Sequence, residues 1–250
     1  MFVESLINGI VVAIVESLED PEQLGRLRVT YPVLGDQRSA WAKQVCLMAG
    51  ADRGTLFRPE IGDEVLVAFE MGRPERPYVL GALWNKTDLP PDMGEPSIEN
   101  NWRLIKSRSG HIFRFDDSDG AEKVEIRDKD DLRRIIVDTA GKTILVTSEG
   151  GDGVIRIDAP EGRVEVEAGK GIAVTCHEGD VAVAANGGGK VSVESASSNI
   201  EIKATGGTVQ VDAKTISMNA TSSLALKAGS GMSIEAGGAL SIKGSVVNIN

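Results

Sequence analysis

The sequence predicts an all-β protein in two parts, a small N-terminal barrel followed by a long repeat-built shaft. Three observations carry that expectation. Short β-branched and aromatic runs alternate with Gly, Pro and Asp turns, and no segment has the periodicity of an amphipathic helix. All ten aromatic residues (Phe2, Tyr31, Trp41, Phe57, Phe69, Tyr78, Trp84, Trp102, Phe113 and Phe115) lie in the first 115 positions. The remaining 135 residues must therefore enclose a narrow interior that Val, Ile, Leu, Met and Ala can fill. From about residue 154 to the end, an apolar pair recurs with a period near eight.

Residues 1–85 read as the barrel. Ile10–Val15 and Leu27–Tyr31 are strand-like runs joined by a polar stretch from Glu19 to Gly25, and Ala42–Met48, Glu64–Phe69 and Tyr78–Leu83 follow. Five short strands with turn signals suggest an OB-type Greek-key barrel. Residues 86–110, with Pro90, Pro91 and Pro96, read as a connector. Residues 111–152 read as a β-strand neck, with strands at Ile112–Phe115, Val124–Ile126, Ile135–Val137 and Ile144–Val146. The turns Asp117-Ser118-Asp119-Gly120 and Ala140-Gly141-Lys142 read as hairpin connections within it.

Residues 153–250 form the repeat. Its pairs are Ile155/Ile157, Val164/Val166, Ile172/Val174, Val181/Val183, Val191/Val193 and Ile200/Ile202. They continue as Val209/Val211, Ile216/Met218, Leu224/Leu226, Met232/Ile234, Leu240/Ile242 and Val247/Ile249, making twelve units. Successive spacings are 9, 8, 9, 10, 9, 9, 7, 8, 8, 8 and 7. Low-complexity disorder gives no reason to preserve paired apolar residues. Along a strand both members of a pair point to one face and the residue between them to the other. The intervening residues are mostly polar or small, such as Arg156, Glu165, Ser192, Glu201, Gln210 and Ser233.

A lone strand with one dry face must stack against something. A single chain using three units per coil would make about four coils, a rod of roughly 19 Å. Three chains, each supplying one face of every layer, would make a shaft of roughly 55–60 Å. Nearly equal short turns and the absence of a capping element favour three identical chains, an intertwined trimeric β-helix or β-prism. The pairs from Ile155/Ile157 to Leu240/Ile242 are then the expected shaft core.

The formal net charge of −10 disfavours a polyanionic partner, so no nucleic acid is expected. No apolar run approaches roughly 18 residues, the length of a membrane-spanning helix. Ile10–Val15 follows Glu4 rather than a basic segment, so synthesis in the cytoplasm without a signal peptide is expected.

Candidate chemistry is sparse. Asp116, Asp117 and Asp119 lack the further ligands of a calcium loop and read as a solvated turn. Gly187-Gly188-Gly189-Lys190 has Ala184 where a phosphate loop needs its first Gly, and Val191 where it needs Ser or Thr. Cys176 and His177 are adjacent, so on a strand they point to opposite faces. Glu165 and Glu167 flank inward Val166 on the outer face. The expectation is therefore a protein that is not an enzyme, with no catalytic residue, metal or cofactor.

Several blocks carry a resemblance to a known family. Gly25-Arg26-Leu27-Arg28-Val29-Thr30-Tyr31-Pro32 followed by Leu34-Gly35-Asp36, then Trp41-Ala42-Lys43, resembles the OB domain of phage baseplate assembly protein V and VgrG spike proteins. So do Gly62-Asp63-Glu64-Val65-Leu66-Val67-Ala68-Phe69, the block from Gly72 to Gly81, and Trp84-Asn85.

The resemblance implies a structural central spike, a membrane-puncturing needle, at the baseplate of a contractile phage tail or phage tail-like injection system. It implies a homotrimer with a separate hub protein at the OB end and transient contact with the target cell envelope. The OB domain begins almost at Met1, without the hub-like region of VgrG, and residues 86–110 leave no room for an inserted lysozyme domain. His111 and His177 lie far from the C terminus, so no metal apex is expected. The final strand, Val247, Asn248, Ile249 and Asn250, is the expected dock for a PAAR-type tip protein. The alternative is a carbohydrate-binding or carbohydrate-cleaving trimeric β-helix of tailspike type, which the aromatic-free shaft disfavours.

Overall fold

The computed structural model describes residues 6–95 and 97–249, so residues 1–5, Pro96 and Asn250 lie outside the described residues. The chain divides into two units, Met1–Val166 and Glu167–Asn250.

The first unit opens with strands β1 (Ile10–Ser17), β2 (Arg28–Tyr31), β3 (Gln37–Arg38) and β4 (Lys43–Gln44). A two-stranded ribbon, β5 (Ala49–Gly50) and β6 (Arg53–Gly54), precedes β7 (Glu64–Phe69) and β8 (Pro77–Ala82). Apart from the ribbon they form one six-stranded sheet in the order β3-β2-β1-β7-β8-β4. The sheet curls onto itself. β4 pairs in parallel with β8, and Ala42, just before β4, exchanges backbone hydrogen bonds with Leu27, just before β2. A bulge between Val15 and Ser17 supplies part of the bend.

Alternation decides what enters this barrel. On β7, Val65, Val67 and Phe69 point in while Glu64, Leu66 and Ala68 are only partly covered. Val29 and Tyr31 of β2, Ala13 and Val15 of β1, Leu27, Ala42 and Val79 complete the core. The Tyr31 and Phe69 rings meet with centroids 5.7 Å apart. Burying each large aliphatic side chain here contributes about 1.5–3 kcal/mol. The observed all-β, curled-sheet architecture is OB-like, as the sequence predicts.

After the barrel come β9 (Trp102–Lys106), β10 (Ile112–Asp116), β11 (Lys123–Arg127), β12 (Arg133–Asp138) and β13 (Thr143–Ser148). They form an antiparallel meander in chain order. The stretch read from sequence as a connector thus ends in a strand, β9, that pairs along its whole length with β10. Pro90, Pro91 and Pro96 dominate the reading of that stretch, and Arg103 and Lys106 dilute the apolar alternation of Trp102, Leu104 and Ile105. The hairpin turns fall where expected, and Gly120 adopts φ +70°, a conformation open to glycine in the β10–β11 turn.

From Val154 to Ile249 the described residues contain no strand ladder within the chain. Their one backbone–backbone hydrogen bond is the turn contact from Gly162 N–H to the Ala159 carbonyl.

Candidate functional site

Every apolar pair of the repeat faces solvent in the single chain, so the residues expected from sequence as a shaft core are not buried within it. The leading members are about half open. Ile155, Val164, Ile172, Val181, Val191 and Ile200 are 53–59% exposed, and so are Val209, Ile216, Leu224, Met232 and Leu240. The second members are more open still, at 61–77%. They are Ile157, Val166, Val174, Val183, Val193 and Ile202 in the first half of the repeat. In the second half they are Val211, Met218, Leu226, Ile234 and Ile242. The physical reason is the missing ladder: among the described residues no strand of the chain is stacked above or below these side chains to cover them. At the C-terminal end Val247 is 48% and Ile249 is 87% exposed, Asn248 is exposed too, and Asn250 lies outside the described residues.

The polar face of the repeat can be read from contacts within single units. Arg156 pairs with Asp158 at 2.7 Å, and Arg163 pairs with Glu165 at 2.7 Å. Gln210 donates to Asp212 at 2.6 Å, and Ser233 donates to Glu235 at 3.1 Å. Each contact joins residues two apart, so charged and polar groups share one face and leave the apolar pairs on the other.

The β9–β13 meander repeats this asymmetry. The registers put Ile105, Phe113, Phe115, Val124, Ile126, Ile135, Val137, Ile144 and Val146 on one face. It is largely open, with Phe115, Ile126, Ile135 and Ile144 all exposed. Phe113 and Phe115 pack edge to face at 5.0 Å. An open groove of about 690 Å³ runs over this face and is extended by Val154 and Ile155 of the first repeat unit. The apolar surface is thus continuous from the meander into the repeat.

The opposite, polar face is the covered one. Arg114 on β10 lies directly across from Glu125 on β11, and both are buried. The Arg114 guanidinium donates from Nε to Glu125 Oε2 at 2.8 Å, with a second contact from Nη2. Lys123 and Arg127 lie 3.7 and 3.6 Å from the same carboxylate. Trp102 roofs the pair, its ring centroid 4.0 Å from the Arg114 guanidinium carbon. Gly94 lies flat against the indole at φ +77°, where a Cβ would stand 2.8 Å from the ring.

Asp116, also buried, accepts from the Ser118 backbone at 3.1 Å and its hydroxyl at 2.6 Å. Burial pushes the Asp116 carboxyl up, but the Ser118 hydrogen bonds and the Arg114 and Lys123 charges prevail and hold it below its usual value. Asp117 pairs with Arg103 at 2.6 Å. Two carboxylates of this turn, Asp116 and Asp117, are therefore committed to local partners. Among the described residues, no group of three or more His, Cys, Asp or Glu is placed to hold a metal ion. Cys46 and Cys176 are free, exposed thiols, and Cys176 contacts the Glu178 carbonyl at 3.0 Å.

The barrel carries its own surface cluster. Asp20 accepts from Arg26 Nη2 at 2.6 Å and from the Glu22, Leu24 and Arg26 backbone N–H groups. The Arg26 bond above all holds the Asp20 carboxyl far below the usual carboxylate range. Arg28 stacks 4.4 Å from the Trp41 centroid. Tyr78 donates to Glu70 at 3.0 Å, which lowers the Glu70 carboxyl, and Arg76 pairs with Glu70 at 3.0 Å. The cations here sit among acidic groups, unlike the unbalanced basic face of a nucleic-acid site. The β5–β6 ribbon and the loops beside it expose Leu47, Leu56, Phe57 and Ile61.

Sequence reading found the repeat pairs residue by residue but missed the apolar face of the meander and the ion pair behind it. The alternation of Phe113 and Phe115 around Arg114, and of Val124 and Ile126 around Glu125, is the signal that carries both.

The described residues thus combine an OB-like barrel with later segments whose apolar faces are exposed. Residues 11–84 match the family model for the type VI secretion system/phage-baseplate injector OB domain. The chain is 27% identical over 125 residues to the type VI secretion system spike protein VgrG1a of Pseudomonas aeruginosa, covering 44% of this chain and 19% of that protein. It is 26% identical over 142 residues to the actin cross-linking toxin VgrG1 of Vibrio cholerae, covering 52% of this chain and 13% of that one. A third relative, VgrG3 of Vibrio cholerae, a type VI secretion system spike protein, is 24% identical over 123 residues, covering 46% of this chain and 12% of its own. The chain thus matches less than a fifth of the length of these relatives, and its resemblance to VgrG-like baseplate spike proteins includes the OB region.

Proposed function

We infer that the chain is a structural central spike of a contractile phage tail or tail-like injection system, working as a homotrimer and without catalysis of its own. One observation carries the reading: the whole stretch 154–249 presents regularly spaced apolar pairs and backbone groups with almost no partner in their own chain. Unpaired backbone polar groups and exposed aliphatic pairs are costly, and symmetric strand stacking satisfies both at once. Three copies covering one another's pairs close the shaft as an intertwined β-helix, with residues 153–250 as its length. A single-chain solenoid would pair its own units, and no such ladder exists among the described residues.

The inferred shaft core comprises the pairs from Ile155/Ile157 to Leu240/Ile242, exposed in one chain and covered in three. The Val247–Asn250 end then docks a PAAR-type tip protein, and a separate hub protein binds at the barrel end. Rigidity under axial load is the activity, delivered to the target cell envelope when the surrounding machine contracts.

The test is the solution mass of the purified full-length chain by light scattering after size exclusion. Three times 26.5 kDa with an elongated profile is the expected result. A compact monomer, or specific glycan binding lost on replacing shaft carboxylates, would overturn it.

A further inference from the structure

The repeat carries a second periodic signal in its charges. Residues 191–250 contain eight charged groups, and six of them occupy the same position, immediately after the second apolar residue of a unit. In order they are Glu194, Lys203, Asp212, Lys227, Glu235 and Lys243, and their signs alternate without exception. The unit between Asp212 and Lys227 has Asn219 at this position. The other two charges fall elsewhere, Glu201 between a pair and Lys214 in a turn. The single-chain contacts of Asp212 with Gln210 and of Glu235 with Ser233 place this position on the outer face.

We propose that these six residues form an interchain ladder of alternating charge that fixes the register of the three chains. The inference rests on the trimeric reading above. Chains related by a three-fold axis wind in the same sense, so strands stacked on one face run parallel and equivalent positions superpose. Each chain advances one face per layer, so above unit n of one chain lies unit n+1 of its neighbour. The spacing is about 4.8 Å, within reach of direct ion pairing. In that register Glu194 meets Lys203, Lys203 meets Asp212, Lys227 meets Glu235, and Glu235 meets Lys243, each across a chain boundary. No like-charge pair arises among the six, whereas the first two units, outside this segment, carry Asp158 and Glu167 at the same position.

A slip of one layer destroys the pattern. Stacking unit n on unit n sets all six charges against their own copies. Stacking unit n on unit n+2 sets Glu194 against Asp212 and Lys227 against Lys243, and leaves Asp212 opposite Lys227 as the one complementary pair. The apolar pairs discriminate little among these registers, because each is an aliphatic or Met pair of similar size. A uniform repeat is prone to slippage wherever side-chain pattern does not distinguish registers. Opposite charges across strands stabilise and like charges destabilise, so the ladder supplies the missing distinction.

The test uses the full chain. Zero-length carbodiimide coupling of trimers assembled from isotopically light and heavy chains should give mixed-isotope links Lys203–Asp212, Glu194–Lys203 and Lys227–Glu235. Separately, Glu235→Lys places three cations in succession and should lower the melting temperature of the trimer by roughly 2–5 °C at low salt. Inverting the segment together (Lys227→Glu, Glu235→Lys and Lys243→Glu) should restore it, although the Ser233 contact is lost in both variants. At about 1 M salt the difference should shrink, since the Debye length falls to about 3 Å. A trimer whose links join units two apart, or whose stability ignores both variants, overturns the ladder and leaves the spike reading standing. A monomeric wild-type chain overturns the spike reading itself.

Discussion

Replacing Val209 by Asp tests the direction in which the repeat faces. Val209 is 57% exposed in the single chain, and its neighbour Gln210 points to the other face, where its amide reaches Asp212 at 2.6 Å. In a three-fold shaft, three copies of Val209 meet at one level. Covering the exposed half of each contributes about 1 kcal/mol, so about 3 kcal/mol disappears with the side chains. Three carboxylates roughly 6 Å apart repel by about 3 kcal/mol per pair at an effective dielectric of about 20. Protonating them instead costs about 4 kcal/mol each at pH 7. With the lost burial included, repulsion brings the penalty to about 12 kcal/mol and protonation to about 15 kcal/mol, roughly nine to eleven orders of magnitude in association.

Light scattering after size exclusion should therefore find no Val209→Asp trimer at concentrations where the wild type is fully assembled. Acidification toward about pH 4, where the carboxyls are neutral, should recover part of it. Gln210→Lys, one residue further on the outer face, should assemble normally. A Val209→Asp chain that forms a trimer of wild-type heat stability would refute the inward placement of the pairs.

Other outcomes follow from the first unit. Glu125→Ala leaves the buried Arg114 guanidinium without its carboxylate and should cost about 3–5 kcal/mol, read from tryptophan fluorescence during denaturant unfolding. The paired replacement Arg114→Met with Glu125→Leu should recover most of that loss, and a double variant as unstable as the single one would contradict the account. Leu27→Ala, fully buried in the barrel core, should cost about 2–5 kcal/mol in the same assay. Asp20 has a folded pKa depressed by Arg26, so its stabilising effect is present above its unfolded value near pH 4 and is lost as pH falls through the folded value. Asp20→Asn should flatten that acid-side slope in thermal melts, and an unchanged slope would assign the acid sensitivity to other carboxylates.

The barrel strands are legible in the sequence because each is short, β-branched and bounded by turn residues; Glu64–Phe69 is read with the bounds the structure gives it. Lys43–Gln44 is much shorter than the run read from Ala42 to Met48, because the chain leaves the sheet after Gln44 to build the β5–β6 ribbon. β8 itself continues to Ala82 beyond the last partner of β4, Val79, so no local pattern in either strand encodes the departure. β9 escapes a local reading because its charged residues mask the alternation, and its pairing is dictated by β10 across a turn. The Arg114–Glu125 pair is visible only once register sets residues 11 apart against each other. The repeat is the most legible feature, since period-two alternation needs no tertiary information to be read. What covers pairs such as Val193 and Val211 is a different matter, because a pattern names the dry face without naming the chain that meets it.

The barrel is closed, whereas the strands after it are not, and this difference orders events during synthesis. The barrel emerges before the repeat, has its own core and can fold while the repeat is still being made. On the proposed trimeric reading, the later segment gains nothing by folding early, because its partners are on other polypeptides. Its formation is thus a concentration-dependent step, slow and open to misassembly until three chains meet. Once three chains have met, each added layer is intramolecular in effect, and assembly can run toward the C terminus like a zip. Yield should therefore depend on expression rate and on chaperone cover for nascent chains more steeply than on the intrinsic stability of the finished particle.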